Sequence, residues 1–333
     1  MVNLVKKAWK HIWTGIKYWS FRLVSYLSGK VPVRFAYWIG AAIGDVVYYT
    51  WKQHSANAVS NMRRVLGDTA DWKLVKETAR DSFRNYAKTV VDFLRLPYLQ
   101  KDDLHKAVPS PQGWDNLDKA LSRGKGVLVV SAHFGNWDLA GALLGTYGLP
   151  LHAVADSFEP KKMDERIRHT RQRYGVNIIK IEAGSLKQIF SALKRNEIVV
   201  LVVDRPHTPK EGVPVQFFGE TAYLPPGPAA IALKTGAAIL VGYCVRHRGD
   251  KTFHGAFEPP IEYESLLTGD KERDIQIVTQ EIVKQIEGII RRYPDQWYMF
   301  RPMWPRTDRR DGETRRWRWR GGNRRGTAAY AGQ

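Results

Sequence analysis

The chain has 333 residues, enough for one large domain or two small ones. Hydrophobic residues make up 44% and charged residues 26%, a composition that excludes a largely disordered chain and predicts a packed core. Lys and Arg number 52 against 33 Asp and Glu, and the net charge of +19 predicts an anionic partner: nucleic acid, anionic lipid or a phosphate-bearing cofactor.

The first thirty residues combine aromatic and basic side chains at helical spacing. Trp9, Trp13 and Ile16 recur about one helical turn apart. The charged side chains of this segment are all basic: Lys6, Lys7, Lys10, Lys17, Arg22 and Lys30. Such a composition is typical of an interfacial helix, and each lysine would gain about 1 kcal/mol near an anionic leaflet. We predict membrane docking here, although a surface helix packed on the protein's own core fits the same spacing.

The longest apolar stretch follows, at residues 35–51, and it contains Asp45. It is marginal for a bilayer span, which needs roughly 20 apolar residues. No cleavable signal peptide is expected, because the first thirty residues lack a compact apolar run followed by small residues. The single cysteine, Cys244, lies in an apolar run and is expected to be a buried thiol, which fits a reducing compartment. We predict peripheral or monotopic attachment to the cytoplasmic face of the membrane.

Beyond residue 72, helical and strand patterns alternate. A helix is predicted from Trp72 to Leu96, where Pro97 follows. The predicted strands are Val127–Val130, His152–Ala155, Val176–Ile181, Ile198–Val203 and Ala238–Val245. The predicted helices between and after them are Asn136–Leu144, Lys161–Tyr174, Ser185–Lys194, Pro228–Lys234 and Arg273–Arg292. The alternation predicts an α/β fold, a central mixed sheet flanked by helices, with its ligand site at the loops that follow the strands.

The segment after the first predicted strand carries the strongest catalytic signal. It reads Ser-Ala-His-Phe-Gly-Asn-Trp-Asp, with His133 at the strand exit and Asp138 in the first turn of the next helix. A turn at Gly135 can bring the two side chains together. A carboxylate that accepts a hydrogen bond from one imidazole nitrogen leaves the other nitrogen free to accept a proton. We therefore predict that His133 is a general base and that Asp138 orients it, whereas a turn-capping role for both residues fits the spacing as well.

This segment resembles the His-x4-Asp block of the glycerolipid acyltransferases. The longer match is to the lipid A biosynthesis acyltransferases and to the phosphatidylinositol mannoside acyltransferases among them. His133 to Asp138 resembles their His-x-Gly-Asn-Trp-Asp, residues 217–220 their Phe-Phe-Gly-Glu, and residues 293–304 their C-terminal block. The ordered match runs from about residue 35 to residue 305.

The resemblance implies further roles. Asp204 stands where the mannoside enzymes have a supporting Glu; as its side chain is one methylene shorter, a direct contact with His133 is left open and Asp204 is expected to assist electrostatically. Arg171 is expected to help bind phosphate or a developing oxyanion. A simple Asp204–Arg205 pair and a solvated Arg171 are the alternatives from the residues alone. The predicted substrate-binding residues are Arg171, Arg205, Phe217, Phe218 and Glu220, although paired phenylalanines more often lie in a core.

Together these observations predict a membrane-associated acyltransferase. It would move a fatty acyl chain from acyl-CoA or acyl carrier protein, as donor substrate, to a hydroxyl of a glycolipid or lysophospholipid. No metal and no permanently bound cofactor are expected, since no His/Cys cluster has ligand spacing. The expected regions are 1–100 (helical, membrane-associating), 101–305 (catalytic) and 306–333 (basic tail). A thioesterase or lipid hydrolase is the alternative; a nucleic-acid-binding protein is a more distant one, because no RNA-recognition motif accompanies the basic charge, and no specific nucleic acid partner is expected.

Overall fold

The structure, a computed structural model, describes residues 2–249 and 252–304, and for residues 2–8 and 10–12 it describes the backbone alone. The tail predicted for residues 306–333 lies outside the described residues. The helices are α1 Val2–Lys30, α2 Val33–Thr50, α3 Lys52–Leu66, α4 Trp72–Arg95, α5 Lys101–Ala107, α6 Trp114–Leu121, α7 Trp137–Thr146, α8 Lys161–Gln172, α9 Ser185–Lys194, α10 Gly227–Thr235 and α11 Lys271–Arg292. The strands are β1 Val127–Ser131, β2 Leu151–Ala155, β3 Val176–Lys180, β4 Ile198–Val202, β5 Val213–Phe217, β6 Glu220–Leu224, β7 Ala238–Arg246 and β8 Phe253–Phe257.

The central sheet has the strand order β3-β2-β4-β1-β7-β8. Its strands are parallel except for β8, which pairs antiparallel with β7. The sheet is therefore mixed and flanked by helices, as the sequence predicts. β1 lies between β4 and β7, and its five residues are all buried. Because β1 and β4 run in the same direction, the loops that follow them meet at one edge of the sheet.

Both faces of the sheet are covered. Alternate residues of β1 point to opposite sides: Leu128 and Val130 join the larger core with α3, α4, α9, α10 and α11, whereas Val127 and Val129 join a second cluster with α6. Buried apolar runs on both faces are what a parallel strand requires, and they explain why β1, β4 and β7 read as continuous apolar segments in the sequence. Cys244 of β7 is buried, and burial raises the pKa of its thiol to about 12, as expected for a packed core cysteine.

Helix α4 connects the N-terminal helices to the rest of the fold. It packs against α1, α2 and α3 and also against the 3-10 turn Pro294–Gln296. Near the end of α1, the hydroxyl of Ser25 donates a hydrogen bond to the carbonyl of Leu94, at 2.7 Å. Gly44 of α2 approaches so closely that a Cβ there would lie 2.7 Å from the Cα of Arg84. These contacts hold α1 and α2 against α4.

Asp45, the one acid of the apolar stretch, forms ion pairs with Arg80 and Arg84 of α4. Its carboxylate accepts hydrogen bonds from the Nε atoms of Arg80 and Arg84, both at 2.7 Å. Partial burial raises the pKa of Asp45, but the two arginines outweigh that effect and hold the pKa below its ordinary value. Asp45 therefore binds α2 to α4. Within the described residues, no helix has the length and apolarity that crossing a bilayer requires.

Candidate functional site

The site is assembled where β1 leaves the sheet. β1 ends at Ser131, and residues 132–136 form a turn that leads into α7, which begins at Trp137. The backbone of a C-terminal segment, residues 294–304, runs alongside this turn: the N–H of Tyr298 donates to the carbonyl of His133 at 2.8 Å, and the N–H of Gly135 donates to the carbonyl of Gln296 at 2.9 Å. The turn that carries His133 is thus fixed on one side by residues that lie more than 150 positions later.

Gly135 is required by this turn. Its φ is +59°, and a Cβ there would lie 2.1 Å from the carbonyl oxygen of Cys244. The next residue, Asn136, donates its N–H to that same carbonyl at 2.7 Å, and its side chain caps α7 by accepting from the N–H of Leu139 at 3.0 Å. Close contact with β7 and the start of α7 therefore determine this part of the motif.

The imidazole of His133 is paired with Asp204. β1 and β4 are in register at Ser131 and Val202, so the residues two positions later on each strand extension come face to face. Nδ1 of His133 lies 2.7 Å from Oδ1 of Asp204, and the backbone N–H of His133 donates to the same oxygen at 3.0 Å. The shorter Asp side chain therefore reaches His133 directly, which the sequence left open.

Trp297 completes the acid's environment. Its Nε1–H donates to Oδ2 of Asp204 at 2.9 Å, and the Asp204 side chain is 1% exposed. Burial alone raises the pKa of this carboxyl, but the charge and hydrogen bond of His133 and the N–H of Trp297 outweigh burial and hold the pKa below its ordinary value. Asp204 is therefore an ionised acceptor at neutral pH.

This pairing defines the proton chemistry of the ring. A carboxylate at Nδ1 requires the hydrogen on that nitrogen, which leaves Nε2 as the proton acceptor. The His133 side chain keeps 24% of its surface exposed, and Nε2 makes no hydrogen bond to any of the described residues. The ring of Trp137 stands beside the imidazole in an edge-on arrangement, with the centroids 5.8 Å apart. We call His133 and Asp204 the dyad; its hydrogen bonding matches what a general-base histidine requires.

The predicted pairing of His133 with Asp138 is wrong. Asp138 accepts a hydrogen bond from Nε of Arg171 on α8, at 2.8 Å, and both side chains are mostly buried. The physical reason is the turn: Gly135 directs His133 toward β4, while Asp138 lies in the first turn of α7 and faces α8. Asp138 therefore holds Arg171, and Arg171 also stands over the ring of Phe93, 5.8 Å from its centroid.

Arg205 does not pair with the neighbouring Asp204. Its Nη1 donates to the carboxylate of Asp156 at 3.0 Å, and both side chains are at least half exposed. Arg205 follows Asp204 in sequence and reaches solvent, whereas Asp204 points inward. This separation excludes the simple Asp204–Arg205 pair that the sequence allowed.

The Phe-Phe-Gly-Glu block forms the tight turn between β5 and β6. Phe218 and Gly219 both have positive φ, +52° and +77°, which is the backbone of a type I′ hairpin turn. Phe217 and Phe218 are 1% and 7% exposed and pack on Trp297 and Trp304. They therefore lie in the core behind Asp204, and their substrate-binding role stays a prediction.

Glu220, the last residue of that block, forms an ion pair with Arg64 of α3. It therefore joins the β5–β6 hairpin to α3. Its substrate-binding role stays a prediction.

Two site residues were missed by the residue-level prediction. Trp297 binds Asp204, and Tyr298 fixes the His133 carbonyl while its ring packs on Trp137, with centroids 6.2 Å apart. Both belong to the Tyr-Pro-Asp-Gln-Trp-Tyr run of the C-terminal block. The signal that could have found them is a tryptophan directly before a tyrosine in a segment with two prolines and no helical or strand periodicity.

Comparison with known proteins identifies the family of the chain. Residues 5–306 match the family model described as bacterial lipid A biosynthesis acyltransferase. The chain is 30% identical over 249 residues to a phosphatidylinositol mannoside acyltransferase of Mycolicibacterium smegmatis, covering 73% of this chain and 77% of that protein. It is 29% identical to the protein of that name from Mycobacterium tuberculosis, covering 67% and 69%. A lipid A biosynthesis acyltransferase of Haemophilus influenzae is 24% identical, covering 93% and 92%. The chain belongs to the bacterial lipid A biosynthesis acyltransferase family, and it is an acyltransferase.

Proposed function

We propose that this protein transfers a fatty acyl chain from an acyl thioester to a hydroxyl of a lipid, with His133 as the general base. The observation that carries the proposal is the His133–Asp204 contact at 2.7 Å, with Trp297 on the far oxygen of the acid. The donor would be acyl-CoA or acyl carrier protein. The acceptor would be a glycolipid or a lysophospholipid, because the related proteins are named for phosphatidylinositol mannoside and for lipid A.

The reaction follows from the tautomer. Nε2 of His133 removes the proton from the acceptor hydroxyl as its oxygen attacks the thioester carbonyl carbon. The new C–O bond gives a tetrahedral oxyanion, and its collapse breaks the C–S bond. The departing thiolate takes the proton back from Nε2, so the ring returns to its starting state. Asp204 stabilises the imidazolium between these steps, as a buried carboxylate at Nδ1 does in catalytic triads.

Arg171 is assigned to a negative charge of the substrate. Asp138 fixes its guanidinium through Nε, and a cation held in a mostly buried place acts on phosphate or on a developing oxyanion more strongly than a solvated one. We assign Arg205 to the outer part of the same binding region, since it is half exposed and directly follows Asp204. In this assignment Asp138 is a positioning residue for Arg171.

The N-terminal helices would bring the site to a membrane surface. Large apolar side chains along α1 and α2 are exposed: Trp9, Trp13, Ile16, Trp19, Leu23, Val24, Tyr26, Leu27, Val33, Phe35, Trp38, Ile39, Ile43, Val46 and Tyr49. We name this set the docking face. Exposed apolar surface of this extent, with Lys17, Arg22 and Lys30 on α1, fits an interfacial position on an anionic leaflet. Because α4 carries these helices and also contacts the His133 segment, docking would place the dyad close to the lipid.

The test uses the full chain, a labelled acyl-CoA or acyl carrier protein thioester, and vesicles that contain a phosphatidylinositol mannoside or a lysophospholipid. We expect an acylated lipid from the wild type and none from His133→Gln. The control is His152→Gln, because His152 pairs with Glu197 near the amino ends of β2 and β4, whereas His133 follows the carboxyl end of β1. Release of free fatty acid without acylated lipid would instead establish the hydrolase alternative. Full activity of His133→Gln would remove the mechanism.

A further inference from the structure

A buried ionic network lies directly behind the turn that carries His133. At its centre is Asp92 of α4, which is 8% exposed. One oxygen of its carboxylate accepts hydrogen bonds from Nδ2 of Asn136, at 2.8 Å, and from Nη2 of Arg246. The other oxygen accepts from the hydroxyl of Tyr37. A carboxylate so deep in the fold is costly unless it is paired and fully hydrogen-bonded, and here both conditions are met.

The network reaches the catalytic turn through Asn136. Three polar groups of this residue fix its position: its amide nitrogen donates to Asp92, its amide oxygen caps α7, and its backbone N–H donates to the carbonyl of Cys244. Since Gly135 and His133 precede it within three residues, the position of Asn136 determines the path of the turn. A shift of Asn136 would move the imidazole relative to Asp204.

Arg246 ties the same network to the C-terminal segment. Its backbone N–H donates to Oε1 of Gln296 at 2.7 Å, and Nε2 of Gln296 donates to the carbonyl of Arg246 at 2.9 Å. Its guanidinium lies between the rings of Tyr37 and Phe253, 4.4 and 4.5 Å from their centroids. Gln296 in turn accepts from the N–H of Gly135, so this contact also returns to the catalytic turn.

Tyr37 gives the network its connection to the surface of the protein. It belongs to α2 and is 6% exposed, whereas Trp38, the next residue, is 67% exposed and belongs to the docking face. A single helix therefore presents apolar side chains outward and donates a hydrogen bond inward to the carboxylate that holds Asn136. Three side chains, Tyr37, Asp92 and Asn136, span the distance from the docking helix to the catalytic turn.

We propose that Tyr37 is a positioning residue, and that Tyr37, Asp92 and Asn136 form a relay by which the placement of α2 sets the position of His133. The relay rests on the proposed function, because it describes how the docking helix and the general base act together. Tyr37 touches no reacting atom; it acts through Asp92 and Asn136.

The first test is Tyr37→Phe, which removes the hydroxyl and keeps the ring over Arg246. We expect kcat to fall about tenfold with KM unchanged, since small displacements of a catalytic group are costly. The matched control is Tyr263→Phe, another buried tyrosine, whose hydroxyl donates to the carbonyl of Ala237 at 3.4 Å. It should leave kcat unchanged. Equal kcat for Tyr37→Phe and wild type, with both folded by thermal melting, would overturn the relay.

A double-mutant cycle separates the relay from a general loss of packing. Asn136→Ala breaks the relay at its other end. If Tyr37 acts through Asn136, adding Tyr37→Phe to Asn136→Ala costs no further activity. If the two losses multiply, Tyr37 affects the site by another route and the relay is wrong.

A third measurement is independent of catalysis. The Cε1–H signal of His133 can be assigned by NMR from its disappearance in His133→Gln. We expect this signal to move in Tyr37→Phe and to stay in place in Tyr263→Phe; an unmoved signal in Tyr37→Phe contradicts the relay. If the wild type transfers no acyl group while the signal still moves, the proposed function fails and the relay stands.

Discussion

Replacing Asp204 by Asn tests the central contact of the site. The carboxylate accepts from Nδ1 and the backbone N–H of His133 at one oxygen and from Trp297 at the other. An amide of the same shape offers one oxygen and an NH2 group, so at least one of these donors then faces another donor. It also removes the negative charge that stabilises the imidazolium. Asp204→Asn therefore affects both catalysis and stability.

The expected loss of kcat is about 10³- to 10⁴-fold, by comparison with the same substitution in serine-protease triads. The loss of stability is of order 2 kcal/mol, since hydrogen bonds to a charged group are worth about 1.5–3 kcal/mol. Acyl transfer from a labelled thioester measures the first, and urea unfolding measures the second. Asp118→Asn, at an exposed position on α6, is the control. Activity within about tenfold of wild type would refute the reasoning, because the tautomer would not depend on Asp204.

The pH dependence follows from the lowered pKa of Asp204. In acid the folded protein binds fewer protons at this group than the unfolded chain does, so its contribution to stability is present above the unfolded pKa and is lost as the pH falls through the lower folded value. The difference in unfolding free energy between wild type and Asp204→Asn should therefore narrow below a pH of about 4, near the ordinary Asp pKa. A difference that widens in acid would contradict the sign of this shift.

Three further substitutions test the turn, the Arg171 contact and the docking face. Gly135→Ala should lower the free energy of unfolding by at least about 2 kcal/mol and abolish acyl transfer, because its Cβ would lie 2.1 Å from the Cys244 carbonyl oxygen. Chemical denaturation measures the loss of stability. Gly124→Ala is the control, since Gly124 has a positive φ and open space around it, and equal losses in the two variants would refute the steric argument. Asp138→Asn should lower kcat/KM about tenfold or more, because Asp138 positions Arg171. In the Arg171→Gln background the same substitution should cause no further loss of kcat/KM. Multiplied losses of kcat/KM in steady-state kinetics would refute this role. The double substitution Ile16→Ser and Trp19→Ser should weaken binding to anionic vesicles about tenfold or more without changing the melting temperature. The control, Leu266→Ser, should leave vesicle binding unchanged. Unchanged co-sedimentation of the double variant with vesicles would contradict membrane binding by the docking face.

Much of the fold could be predicted because its strands are buried on both faces. β1, β4 and β7 are short apolar runs with turn residues at their ends, and α4 and α11 have clear helical periodicity, so their bounds agree with the predicted ones within a few residues. The β5–β6 hairpin and the edge strand β8 were not predicted. Each of these strands has only five residues, β5 contains Pro214, and Phe218 stands where a turn of this type usually has Asn, Asp or Gly.

The candidate site was predicted in part. His133 could be located because the motif follows a buried strand directly. Its partner could not be identified from local spacing, because the turn at Gly135 reverses the direction in which neighbouring side chains point. Strand register, which places the ends of β1 and β4 side by side, selects Asp204 over the nearer Asp138. The register depends on pairing between strands that are far apart in the sequence, so the five-residue spacing of His133 and Asp138 does not reveal it.

The contact between Trp297 and Asp204 has a consequence for biosynthesis. Asp204 comes from the middle of the polypeptide, but Trp297, whose indole binds it, is among the last residues that the structure describes. While a ribosome is still translating the strands and α11, the carboxylate has no indole donor, and the loop bearing the imidazole has no Gln296 or Tyr298 beside it. A nascent chain can thus complete its sheet and still lack the contacts that hold His133 and Asp204, so the proposed acyl transfer would begin only after residues 296–298 have been made and have packed beside the His133 turn.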